Sequence, residues 1–151
     1  MVIELRGCPP DLLLAHDDNL ADIARELSLF GASHDDPVAV RAAEQIVEVV
    51  RLSAMSWDAA RLVAKQALLD GLDAVDIAIA ASDSEDLPGR IEVLRRSVDA
   101  AEAMALRGAL MTMPAAEPVQ RWRDWVEAEM VGQVTQGRTP VRFADWHPTA
   151  G

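Results

Sequence analysis

The chain has a single cysteine, Cys8, among 151 residues. No internal disulfide framework can form, and a thiolate zinc cluster is excluded. Three histidines without any Cys/His spacing argue against a structural metal site. Such a composition fits a reducing cytoplasm. Aromatic residues are scarce as well: four tryptophans, two phenylalanines and no tyrosine. No apolar run approaches the roughly 20 residues that a membrane-spanning helix needs. The opening MVIELRGCPPD lacks a basic stretch followed by an apolar one, so a secretory leader is not expected. Missing too are a glycine-rich phosphate loop, a nucleophile elbow, a zinc-protease motif, internal repeats and low-complexity tracts.

What is present is acidic and apolar. Half of the residues are hydrophobic and the net charge is −11. Residues 1–89 carry 17 acidic and 6 basic side chains, a balance of −11, whereas residues 90–151 carry 8 of each. The whole excess lies in the first part of the chain. Nucleic-acid affinity depends on Lys and Arg neutralising phosphates, so a polyanionic partner is not expected.

Periodicity gives a mainly α fold of one domain. After the short apolar start Val2, Ile3, Leu5, the residues Leu13, His16, Leu20, Ile23, Leu27 and Phe30 recur at steps of three and four. They define one helical face, with Gly31 as the expected stop. Asp36-Pro37 reads as an N-cap and first helical position, followed by the stripe Ala39, Ala42, Ile46, Val49, Val50. Ser56 is the expected cap of a third helix with Leu62, Val63 and Leu69 inward and Gly71 at its end. Residues 74–80, AVDIAIA, alternate with a period of two and predict a strand. Its only β-like companion is the segment 2–6, so the two are expected to pair in a small ribbon of undetermined direction.

The cluster SDSEDLPG reads as turn and cap. A fourth helix follows with Ile91, Leu94, Val98, Ala101 and Ala105, closed by Gly108. The fifth runs from about Pro118 to Gln136, with Gly137 after it. The architecture predicted is about five helices with a two-stranded ribbon (about 2–6 and 74–80) over residues 1–137, then an extended C-terminal arm, 138–151.

Few residues carry recognisable chemistry. His-Asp-Asp occurs at 16–18 and again at 34–36. His16, His34 and Asp35, with Asp70, Asp76 or Asp99 downstream, follow the ligand order of metal-dependent phosphohydrolases. Against this, His34-Asp35 precedes a proline-started helix instead of lying within one, and His16 falls on an apolar stripe that suits a core histidine. Cys8-Pro9 is a dipeptide of some haem-regulatory sites, but a small buried cysteine leading into a proline-started helix is the better account. Met55, Met104, Met111 and Met113 outline a small-ligand sensor or, more simply, adaptable packing.

The last helix, EPVQRWRDWVEAEMVGQVTQG, holds two of the tryptophans. Val119, Trp122, Val126, Met130 and Gln133 form its inward stripe. Trp125 is rotated by about 60° from Trp122 and is expected at the border of the buried face, with its N–H in water. Trp125, flanked by Arg121 and Arg123, and the arm residues Phe143 and Trp146 are the candidate partner interface.

Three stretches together carry a family resemblance: AHDDNLADIARELSLF, ALLDGLDAVDIAIAAS, and the segment 97–137 with its Arg121-Trp122 pair and Gln-x₃-Gly ending. In this order they resemble small helical proteins of high-GC Gram-positive bacteria. Those proteins are often encoded beside, or fused to, components of sigma-factor partner switching: anti-sigma ATPases, anti-sigma antagonists and PP2C phosphatases. The resemblance brings no catalytic residues and no cofactor. It implies a regulatory role through protein–protein contacts, with one of those proteins as partner. Together with the composition this gives a non-enzymatic, cytoplasmic adaptor with neither nucleic acid nor membrane as partner, and Phe143 and Trp146 on the arm add a second copy of the chain as a candidate homo-oligomer partner. The alternatives are the metal-dependent enzyme using His16, His34 and Asp35, and the methionine-lined sensor.

Overall fold

The computed structural model describes residues 1–81 and 86–149, with side chains for all of these except 49–56. The elements in order are β1 (Val2–Cys8), α1 (Pro10–His34), α2 (Pro37–Leu69), β2 (Val75–Ala80), α3 (Leu87–Leu106) and α4 (Glu117–Gln136), then a 3-10 turn at Phe143–Asp145. The fold is mainly α with a two-stranded ribbon, as the periodicity predicts. Among the described residues no helix is long and apolar enough to cross a membrane.

β1 and β2 pair antiparallel, with Ile3 opposite Ile79 and Leu5 opposite Ile77. These four side chains face the helices and are buried, while Glu4 and Ala78 face outward. A register irregularity between Leu5 and Cys8 surrounds Gly7, which has a φ of 62°. Its amide donates to Asp76 Oδ1 at 2.7 Å, tying the irregular turn to the opposite strand.

The helix boundaries show where local signals were overruled. Gly31 does not end α1; it lies inside the helix and is buried. A Cβ there would stand 2.4 Å from Val40 Cγ2, so the glycine lets α2 cross closely over α1. The stop falls instead at Asp35, in the left-handed conformation with φ 49°. Asp36 then caps α2 as expected, its Oδ1 accepting from Val38 N at 3.1 Å and Ala39 N at 3.3 Å.

α2 is one continuous 33-residue helix, so no third helix begins at Ser56. The inward residues of its second half are Ala60, Ala64 and Ala67, not Leu62, Val63 and Leu69, which are exposed. Small side chains let this half lie against β2 and α1, and the larger ones turn outward. The turn cluster before α3 falls partly on residues 82–85, outside the described residues. Its fifth member, Asp86, caps α3 by accepting from Gly89 N at 3.0 Å.

Two apolar clusters fill the interior. One joins the ribbon, the start of α1, the end of α2, α4 and Trp146. The other joins the rest of α1, the first half of α2, and α3. Two cross-helix ion pairs hold α3 against α4: Arg95 with Glu127, and Arg123 with Glu102 at 2.9 Å.

Candidate functional site

Several of the residues singled out in the sequence, His16, Cys8, Trp122, Trp125, Phe143 and Trp146, pack on or against α4, whereas the rest are dispersed. Trp122 anchors the core. It is 1% exposed, and its Nε1–H donates to Cys8 Sγ at 3.4 Å. Its ring lies 5.0 Å from that of His16 and edge-on to Trp57. Trp57 and Arg61 in turn donate to the two carboxylate oxygens of Asp17, at 2.8 and 2.7 Å. The first His-Asp-Asp triplet therefore joins α1, α2 and α4. Burial pushes the Cys8 thiol up to about 11, against the opposing effect of the Trp122 hydrogen bond. A thiol held that high is a poor nucleophile or metal ligand at neutral pH.

His16 is buried and lowered to about 3, chiefly by desolvation and secondarily by the charge of Arg123. It is a neutral core imidazole, and its Nδ1 has no hydrogen-bond partner. His34 sits at the far end of the same helix, 18 residues on, about 27 Å away at 1.5 Å per residue. There His34 Nδ1 lies 3.1 Å from Phe30 O, and Asp35 is the helix stop. These three residues cannot share an ion. Among the described residues no group of three His, Cys, Asp or Glu side chains is placed to hold a metal. The methionines do not assemble either. Met104 is buried, Met111 is 92% and Met113 75% exposed, and the Met55 side chain lies outside the described residues.

The candidate interface residues are occupied internally. Trp125 is not at a border; it is fully buried, because the C-terminal arm folds back over it. Its Nε1–H donates to Val141 O at 3.0 Å, which replaces the water expected there. Phe143 stands edge-on to the Trp125 ring at 5.3 Å, and the Arg121 guanidinium lies 5.0 Å from the Phe143 centroid. Arg121 also donates to Trp146 O at 3.0 Å, and Trp146 is 9% exposed. Arg123 points the other way, into the α3 contact with Glu102.

One residue that sequence reasoning passed over holds the arm: Glu129, which is fully buried. Its carboxylate accepts from Arg138 Nη2 at 3.0 Å, Gln133 Nε2 at 2.9 Å and Val141 N at 3.1 Å. Gln133 continues to β1, accepting from Glu4 N at 2.9 Å and donating to Glu4 O at 2.8 Å. Space for two arginines comes from missing side chains. A Cβ on Gly132 would meet Arg138 at 2.7 Å, and one on Gly7 would meet Arg142 at 3.2 Å. The available signal was a glutamate and a glutamine four apart on the inward side of α4.

The outer surface offers a different feature. On the second half of α2, Leu62 is 67% and Leu69 82% exposed. Seven residues apart, they differ by about 20° in rotation and lie roughly opposite Ala60, Ala64 and Ala67. Lys65 and Gln66, both exposed, lie between the two leucines on the same face. Elsewhere a shallow groove of about 600 Å³ runs between α2 and α3, lined by Arg41, Glu44, Gln45, Glu48, Asp86 and Arg90. Its charges are of both signs, and no sequence-predicted site residue lines it. No protein-family model, curated protein or solved structure matches the chain.

Proposed function

We propose that this chain is a non-enzymatic regulatory or adaptor protein, acting by protein–protein contact in the bacterial cytoplasm. Sigma-factor partner switching is the proposed setting, and an anti-sigma ATPase or PP2C phosphatase the partner. The observation that supports the reading is the outward leucine face of α2. Exposed single hydrophobics are ordinary, but two leucines aligned opposite a helix's own core stripe form the apolar centre of a helix-in-groove contact. Arg121, Trp125, Phe143 and Trp146 serve the arm instead, so the contact surface is assigned to α2.

The test is affinity capture from the native cell with the full chain and with a Leu62→Glu/Leu69→Glu variant. The expected outcome is a partner-switching ATPase or phosphatase that co-purifies with the wild type and is lost with the variant, at equal thermal stability. Capture of the same proteins by both would remove the α2 face from the proposal. Failure to capture any partner-switching component under several stress conditions would overturn the setting.

A further inference from the structure

The cleft that holds the C-terminal arm is built as a peptide-binding groove. Structural tails commonly attach through apolar packing or added β-pairing. Here the peptide backbone is instead read by side chains of one helix. The N–H of Val141 is accepted by Glu129 Oε2 and its C=O receives Trp125 Nε1–H, at 3.1 and 3.0 Å. Around this clamp the groove has receptors for particular side chains. Arg138 is held by Glu129 and by the carbonyl of Ala128, at 2.7 Å, in the space left by Gly132. Phe143 lies between Trp125 and Arg121, and Arg142 lies over Gly7. The occupant is thereby specified: an extended segment with arginine, an aliphatic residue three on, and an aromatic two beyond that.

The arm joins α4 through one residue that can redirect it. Gly137 is left-handed, with φ 58°, and nothing lies within 4 Å of the place its Cβ would take. Rotation of this glycine to an extended conformation would carry the whole arm away from its own α4 without straining the backbone.

We propose that the groove also accepts the same arm from a second copy of this chain, giving a dimer by reciprocal arm exchange hinged at Gly137. Every groove contact is recovered in trans, since both copies carry the same segment, so the exchange costs little beyond association itself. The inference extends the protein-contact reading from a foreign partner to a second copy. It concerns a different surface from α2, so either can fail alone.

The experiment uses full-length protein, unfolded and refolded over a range of concentrations and followed by analytical ultracentrifugation. One variant weakens the arm (Phe143→Ala/Trp146→Ala) and another the groove (Glu129→Ala). Expected are a wild-type dimer that grows with concentration, loss of dimer in each variant alone, and recovery as a heterodimer when the two are refolded together. Recovery identifies the one arm–groove pair still intact in the mixture. Because both variants also weaken the fold, Gly137→Ala supplies an independent arm of the test. Disfavouring the left-handed hinge should raise the dimer fraction roughly five-fold or more. A wild type and a Gly137→Ala variant that both stay monomeric, or a dimer indifferent to the arm and groove substitutions, would overturn the proposal.

Discussion

His16 shows at the scale of a residue how a group that looks like chemistry serves packing instead. Its position on the apolar stripe made a core role legible, and the structure adds the cause of its silence: burial beside Trp122 and the charge of Arg123. The same arrangement makes the fold sensitive to acid. Between a pKa of about 3 in the folded state and the ordinary value of 6.5, the unfolded chain binds a proton that the folded one refuses. This contribution is complete above pH 6.5 and is lost as pH falls toward 3. It is worth on the order of 5 kcal/mol over the full range. His16→Gln should flatten stability against pH across that window, measured by urea unfolding at several pH values. A parallel slope in wild type and variant would refute the assignment. Glu129 is the complementary case, with no motif to announce it. Glu129→Ala removes the acceptor of three hydrogen bonds and should cost about 3 kcal/mol. Quenching of the Trp125 and Trp146 fluorescence by iodide should increase along with it, and an unchanged quenching profile would mean that the arm stays docked without Glu129.

Gly31 and the second half of α2 mark where elements departed from their local signals. A glycine after an apolar stripe is an ordinary stop, and only the approach of Val40 explains why this one continues the helix. That contact is tertiary and leaves no trace in a window of α1. Gly31→Ala should therefore destabilise the protein by about 1–3 kcal/mol through overpacking, even though alanine favours an isolated helix. Thermal denaturation decides it: a raised melting temperature would mean that α2 has room to move. In α2 the large aliphatic residues were assigned inward because size usually tracks burial. The structure instead buries Ala60, Ala64 and Ala67, and Leu62, Val63 and Leu69 face out. The arm was legible as a period-free segment with two prolines. Its return to the domain was not, because Glu129, which receives it, carries no motif, and Gly7, over which Arg142 lies, is at the other end of the chain.

As a whole molecule the protein divides its surface from its interior in an unusual place. Trp122 joins α4 to the ribbon and α1, as its place on the inward stripe predicts, while the candidate interface aromatics Trp125, Phe143 and Trp146 join α4 to the arm. The apolar surface that remains includes the α2 leucines, in the half of the chain that carries the entire net charge of −11. Fold class, strand pairing and most helix caps followed from local spacing and turn chemistry. The outward placement of Leu62 and Leu69 did not, because it depends on which side of α2 the rest of the fold covers. A photo-cross-linking residue placed at Leu69, and in a second variant at His147 on the exposed end of the arm, asks the question most directly in the native cell. The account predicts a discrete cross-linked foreign protein from position 69 and, from position 147, nothing other than a second copy of the chain. A foreign protein cross-linked from 147 with none from 69 would contradict it.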